Sequence, residues 1–236
     1  MKCKFCDNPC QKAGRQKNGM QKYYCKECGK YQQSAYRNKA CCDNTRRMLP
    51  KLVYESVSVR GIARILNVAV NTVQASIKWA GEQVVKPPIC MCQAIVEVDE
   101  LRTYIGNKQN QYWIAYGMNR ATGEVLDFAI GKRSKRTLRM LVNTLLLSGV
   151  RKIFTDGLNI YRSLIPTAIH DDKRYCTNRI ERKNLSIRTH IKRLSRRTIC
   201  FSRSYALLES CMRLYFWGVD NSAPILGYGK ARGSAG

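Results

Sequence analysis

Asp99, Asp156 and Glu181 stand out among the 16 acidic residues of a chain that carries 42 lysines and arginines. Acids this scarce are informative by position. Asp99 closes the apolar run AIVEVD, Asp156 closes VRKIFTD just before Gly157, and Glu181 lies near the start of a helical stretch, with 24 residues between it and Asp156. In a sheet whose first and fourth strands are neighbours, the two Asp side chains emerge side by side, and a Glu from a packed helix faces them. Three carboxylates at one point repel one another unless cations fill the gap. Two Mg²⁺ (or Mn²⁺) ions do so, one activating an attacking oxygen and the other stabilising the leaving oxygen of an in-line displacement at phosphorus. The competing reading is that Asp156 caps a helix and Asp99 pairs with a lysine. Glu97, Glu100 and Asp127 read as bystanders, and Asp171-Asp172 as a loop.

A second cluster lies at the N-terminus. Cys3-x-x-Cys6 and Cys25-x-x-Cys28 are two knuckles separated by 18 residues. Each sets two thiolates on one tight turn, and two such turns make the closed tetrahedral shell of a structural Zn²⁺. The segment is poor in aliphatic residues, so the metal would stand in for its core. A redox pair would need a βαβ context, which is absent here. Cys10 is a competing ligand; Cys41-Cys42 and Cys90-x-Cys92 read as packing or exposed thiols.

The net charge of +26 asks for a polyanion, because each phosphate neutralised by Lys or Arg releases condensed counterions. The longest apolar stretch, Leu141 to Val150, is interrupted by Asn143, Thr144 and Ser148; it is too short to span a bilayer. No apolar signal core opens the chain. A protein that stays in the cytoplasm where it is made, alongside nucleic acid, is expected. Between Lys173 and Arg203 there are eleven basic residues and one acid, Glu181. Arg179, Arg182, Lys183, Arg188, Lys192, Arg193, Arg196 and Arg197 are candidates for DNA phosphates, with Asn184 orienting the site or a phosphate.

These groups need positioning elements. SVRGIARILNVAVNTVQASIKWAG reads as a helix-turn-helix. Ser58 caps its first helix, Ile62, Ile65 and Leu66 face inward, and Asn67 tolerates the left-handed turn. On the second helix, about Val70 to Lys78, Val73 and Ile77 face the core, leaving Asn71, Thr72, Gln74 and Lys78 to read base edges. Gly81 and Pro87-Pro88 mark a linker. AIVEVDELRTYIG, QYWIAYGMN and GEVLDFAIG are strands separated by the turns NKQN and RATG. A helix over Ser134–Leu147, a strand ending at Asp156, a small helix and a further strand follow. Helices over about Thr177–Arg197 and Ser202–Trp217 close the order, the former with Ile180, Ile187, Ile191 and Leu194 on one stripe and Thr177, Glu181, Arg188 and Lys192 beside it. The resulting organisation is a zinc-binding module at 1–40, a helix-turn-helix at 41–82, a linker at 83–93, an α/β, ribonuclease-H-like mixed-sheet domain at 94–217, and a tail at 218–236.

At this depth the chain resembles the transposases of bacterial insertion sequence 1. The resemblance runs over about residues 3–216 and rests on the CxxC pairs, KYYCKECGK, ARILNVAVNTV, VDELRTYIGNK, TDG, Tyr161, KRYCTNRIERKNLSIRTHIKRLSR and FSRS. It implies a DDE transposase whose catalytic acids fall on Asp99, Asp156 and Glu181. It also implies a zinc-finger and helix-turn-helix region that binds double-stranded DNA at the element's ends. Since two ends are processed together, a homodimer or larger assembly is expected. Two other readings compete with it. A tyrosine recombinase would use His190, Arg193 and Tyr205 or Tyr215, but such domains are mainly helical, whereas this one opens with three strands. A zinc-dependent repressor accounts for residues 1–80 and gives no reason for the carboxylates.

Overall fold

The computed structural model describes residues 1–17, 19–33, 42–88, 93–173 and 176–218. Cys41, Cys90, Cys92, most of the tail and part of the linker lie outside them; Cys42 is exposed.

The N-terminal segment forms a three-stranded antiparallel sheet, β1 (Gln11–Arg15), β2 (Gln21–Tyr24) and β3 (Tyr31–Gln33). Its interior is polar and sulfur-rich. Buried Gln32 accepts the Lys4 N–H (2.9 Å) and donates to the Lys2 carbonyl (2.9 Å), clipping the first cysteine knuckle to β3.

Three helices follow: α1 (Asp43–Tyr54), α2 (Val59–Leu66) and α3 (Val70–Gln83). The Ser58 hydroxyl accepts the Gly61 N–H at 3.0 Å, satisfying one of the free donors at the start of α2. Asn67 takes the left-handed conformation (φ 51°, ψ 52°) that turns the chain into α3. Ile62, Val73 and Ile77 are fully buried. Ile65 departs from its expected inward position and is 58% exposed, because the α2–α3 turn leaves that side of α2 uncovered. Gly81 is not a linker residue. It lies within α3, where an added Cβ would stand 2.5 Å from the Ser210 Cβ; the glycine lets two helices touch.

The larger part is a five-stranded mixed sheet ordered β6-β5-β4-β7-β8. Strands β4 (Ile95–Ile105), β5 (Asn107–Asn119) and β6 (Val125–Gly131) form an antiparallel meander, and β7 (Lys152–Thr155) and β8 (His170–Asp171) add in parallel. Asn107–Asn110, expected as a turn, belongs to β5; the reversal is at Gly106 (φ 79°), and the register shifts between Tyr104 and Ile105. Asp171, expected in a loop, pairs with Phe154.

α4 (Lys135–Leu147), capped by Ser134, and α5 (Asn159–Arg162) cover one face through Leu138, Leu141, Leu145 and Tyr161. α6 (Asn178–His190) and α7 (Tyr205–Trp217) cover the other through Ile180, Ile187, Leu208 and Met212. The opposite side of α7 presents Leu207, Cys211 and Leu214 to α1–α3, so one helix serves two cores. α6 is shorter than the apolar stripe indicates. Ile191 is extended (φ −106°, ψ 93°) and a 3-10 turn follows at Lys192–Leu194. Burying Ile191 and Leu194 against the sheet bends the chain there, and the Lys192 N–H is taken by the Ser56 hydroxyl at 3.0 Å. Lys192 therefore does not share a helical face with Glu181 and Arg188.

Candidate active site and metal centres

Strand β7 pairs with Ile95–Val98 only, so Asp99 begins the stretch of β4 left uncovered beyond the end of β7. Asp156 is the first residue past β7. The carboxylates of Asp99, Glu100 and Asp156 lie within 4.8 Å of one another. Alternation along the strand sends Asp99 toward α6 and Glu100 toward α5. Each is held. Asp99 accepts the Glu100 N–H at 2.7 Å and the Asn184 amide at 2.6 Å; Tyr116, opposite Asp99 on β5, donates to the Asn184 carbonyl oxygen at 2.7 Å. Glu100 accepts from Tyr161 at 2.6 Å and Arg133 at 3.0 Å, and Arg133 reaches to 3.7 Å from Asp156.

Burial pushes the Asp99 carboxyl up to about 6. The Glu100 N–H opposes the rise, and the charges of Asp156, Glu100 and Glu181 add to it. Burial likewise raises Glu100, against the pull of Tyr161 and Arg133. A partly buried, mutually repelling oxygen-donor set is one that a hard divalent cation relieves, and its oxygens suit Mg²⁺ or Mn²⁺.

Glu181 lies outside this cluster. It is exposed and accepts the hydroxyl of buried Thr177 at 3.0 Å. Asn184, expected to orient the site or a phosphate, is buried and ties Asp99 to Tyr116. Glu97, also read as a bystander, is fully buried; it accepts the Ile180 N–H at 2.8 Å and pairs with Arg120 at 3.3 Å, anchoring the first turn of α6 to the sheet. Its sign was there to read: an acid in the middle of an apolar strand needs a partner.

Of the cations proposed for phosphates, Arg179, Arg182, Lys192, Arg196 and Arg197 are exposed and Lys183 is half-buried. Arg179 donates to the Arg120 carbonyl and Arg193 to Ser202 (2.9 Å). Arg188 is half-buried, and its Nε has no partner. On α3, Asn71 is exposed and Thr72, Gln74 and Lys78 are half-buried.

The four sulfurs of Cys3, Cys6, Cys25 and Cys28 lie within 4.8 Å, with Cys3–Cys28 at 3.6 Å and Cys6–Cys25 at 3.5 Å. A tetrahedron with Zn–S bonds of ~2.3 Å has edges of roughly 3.8 Å, so the four thiolates fit zinc. Cys10 is outside the set and accepts from Gln32 at 3.2 Å. Burial pushes Cys28 up to about 12; Cys3 is lowered to about 6 because N–H donors and Cys28 outweigh its burial.

His190 Nδ1 lies 2.9 Å from the Tyr215 hydroxyl, and Tyr205 reaches the Ile130 carbonyl at 3.5 Å. Burial pushes Tyr215 up to about 12. Neither tyrosine is arranged as an activated nucleophile.

Clustered carboxylates where the parallel pairing of β4 and β7 ends, on a chain this basic, fit the class of metal-assisted phosphoryl-transfer proteins that act on nucleic acids. Residues 90–217 match the IS1 transposase family, and the chain belongs to that family. It is 40% identical over 115 residues to the insertion element iso-IS1n protein InsB of Shigella dysenteriae, covering 49% of this chain and 88% of that protein. It is 34% identical over 119 residues to the insertion element IS1 protein InsB of Shigella flexneri (50% and 91% covered) and to the IS1 4 protein InsB of Escherichia coli K12 (50% and 71%). Membership of this DDE-type family implies DNA transposition, DNA binding and divalent metals, and it sets the tyrosine-recombinase reading aside. Among the described residues no helix is long and apolar enough to cross a membrane.

Proposed function

We propose that this protein binds the terminal inverted repeats of a mobile element, cuts the 3′ ends of the element and joins them to target DNA, with Asp99, Asp156 and Glu181 as its catalytic acids. The observation that carries the reading is the meeting of Asp99 and Asp156 where the parallel pairing of β4 with β7 ends, in a chain of the IS1 transposase family. The strand order, an antiparallel meander extended in parallel past its first strand, supports a ribonuclease-H-like catalytic domain. The family's third acid falls on Glu181.

Divalent metals, when bound, supply charge compensation at the carboxylates and activate the attacking and leaving oxygens. The chain's own contribution is positional. Tyr116 and Asn184 fix Asp99, and Glu97 fixes the helix that carries Glu181. In the first reaction a water oxygen bonds to phosphorus, the P–O3′ bond breaks, and the element keeps a 3′ hydroxyl. In the second that hydroxyl attacks a target phosphodiester and displaces a target 3′ oxygen. One phosphodiester forms as one breaks, so no external energy source is required. Arg179, Arg182, Lys183, Arg188, Lys192, Arg193, Arg196 and Arg197 hold backbone phosphates. Asn71, Thr72, Gln74 and Lys78 of α3 read the repeat, the zinc-bound module supports end binding, and a dimer or larger assembly pairs the two ends.

The test is Asp156→Asn, assayed for end binding, end cleavage and strand transfer with Mg²⁺. Binding survives and both reactions vanish; retained cleavage refutes the assignment.

A further inference from the structure

Beside the carboxylates the sheet edge opens into a cavity of about 310 Å³ lined by Arg102, Thr103, Tyr104, Trp113, Arg188, Arg193, Ser195, Arg196 and Thr198. Its origin is topological. β7 leaves β4 after Val98, and the chain regains that strand only at the Ile105–Ser202 bridge. The strand between has a free edge, walled by the segment that follows α6. Four guanidinium groups line this cavity, and no acid does. Like charges repel, and an anion held among the four arginines relieves that repulsion. The aromatic walls, Trp113 and Tyr104, add a surface for a base.

One chain of contacts links the cavity wall to the acidic cluster. Trp113 lies under the Arg133 guanidinium, 4.7 Å from the ring centroid, and Arg133 in turn contacts Glu100 and Asp156. Thr103 is four residues along β4 from Asp99, roughly 13 Å at ~3.3 Å per residue. The volume admits a single nucleotide and excludes a duplex.

We infer that this cavity binds one unpaired nucleotide of the DNA strand being processed, a short way along the strand from the reacting phosphodiester, with the arginines on its phosphate and Trp113 or Tyr104 against its base. This deepens the proposed function and rests on DNA being the substrate. It implies that the DNA end is opened before or during cutting, in the way that enzymes acting on stacked bases extrude them.

The test compares the full-length protein on two fluorescent duplexes, one fully paired and one with its last three nucleotides mismatched so that they splay. The splayed end binds at least fivefold more tightly. Arg102→Ala and Arg102→Gln each reduce that preference at least threefold while the variants melt like the parent. Iodouracil at the splayed position crosslinks to the Tyr104–Trp113 hairpin. Equal affinity for the two ends, an undiminished preference in both variants, or crosslinks that map elsewhere overturn the inference. Asp156→Asn separates the two readings: its retained cleavage defeats the carboxylate assignment, whereas the splayed-end preference bears on the cavity alone.

Discussion

Asp99→Asn makes the metal-free protein more stable while removing its activity. The wild-type carboxyl is raised from 3.8 to about 6 by burial and neighbouring acids. A raised folded-state pKa means that no penalty exists below about pH 4, where folded and unfolded states are both protonated, and that stability is lost as pH rises through about 6. Integrating that difference, with each pKa unit equal to ~1.4 kcal/mol, the charged form costs about 1.5 kcal/mol at pH 5 and about 3 kcal/mol at pH 7.5. Asparagine removes this cost. It also loses an acceptor, because one oxygen of Asp99 takes the Glu100 N–H and the other takes the Asn184 amide, and an amide cannot accept at both. That loss is about 1–1.5 kcal/mol. The net gain is therefore about 1.5–2 kcal/mol at pH 7.5 and near zero at pH 5. A gain of that size raises Tm by roughly 3–8 °C for a chain of this length. The assay is thermal melting at both pH values, with zinc retained and Mg²⁺ and Mn²⁺ absent, then repeated with Mg²⁺. The divalent metal stabilises the wild type, which binds it when folded, and does little for the variant. A variant no more stable than the wild type at pH 7.5, or equally stabilised at both pH values, refutes the argument that Asp99 is strained by its charge.

Removing zinc with a thiol-directed chelator unfolds β1–β3, read as loss of amide protection over residues 2–33, while the five-stranded sheet keeps its protection. Zinc affinity falls steeply with acidification, because the metal displaces protons from thiols such as Cys28, which sits at about 12; competition titrations at pH 6 and pH 8 check this. Gly81→Ala destabilises the protein by about 1–3 kcal/mol through overpacking, since its methyl meets Ser210 at 2.5 Å, and denaturant titration reads the loss.

What was legible in the sequence is what local chemistry decides. Ser58 and Asn67 announce their cap and turn because each acts within four residues of itself. Asp99 and Asp156 were visible because each ends an apolar run. The role of Glu100 was not. Alternation marks it only as the neighbour of Asp99, and it joins the acidic set because β7 stops at Thr155 and leaves Asp156 free to approach from the adjoining strand. The end of α6 was equally hidden. Ile191 and Leu194 keep helical spacing from Ile187, and only their burial against the sheet bends the chain at Ile191. The arginine cavity could not be read either, because Arg102 and Arg196 come from segments more than ninety residues apart.

One side-chain contact holds Glu181 apart from the other two acids. Asn184 stands three residues after Glu181 on α6, about 4.5 Å along the axis, and its amide already touches Asp99. Glu97 pins the helix start through the Ile180 N–H. The helix is thus docked on the sheet, and Glu181 is turned away because the Thr177 hydroxyl holds its carboxylate at 3.0 Å. Meanwhile Arg133 compensates Glu100 and approaches Asp156, so the metal-free cluster carries its own cation. Thr177→Val deletes the restraint on Glu181 at constant shape. A hydrogen bond to a charged group contributes about 1.5–3 kcal/mol. If metal recruits Glu181 by breaking that bond, its removal tightens Mn²⁺ binding, measured by calorimetry, by about tenfold or more. The Thr177→Val, Glu181→Gln double variant loses the gain. Unchanged Mn²⁺ affinity in Thr177→Val refutes recruitment by rotation of the side chain and requires α6 itself to move.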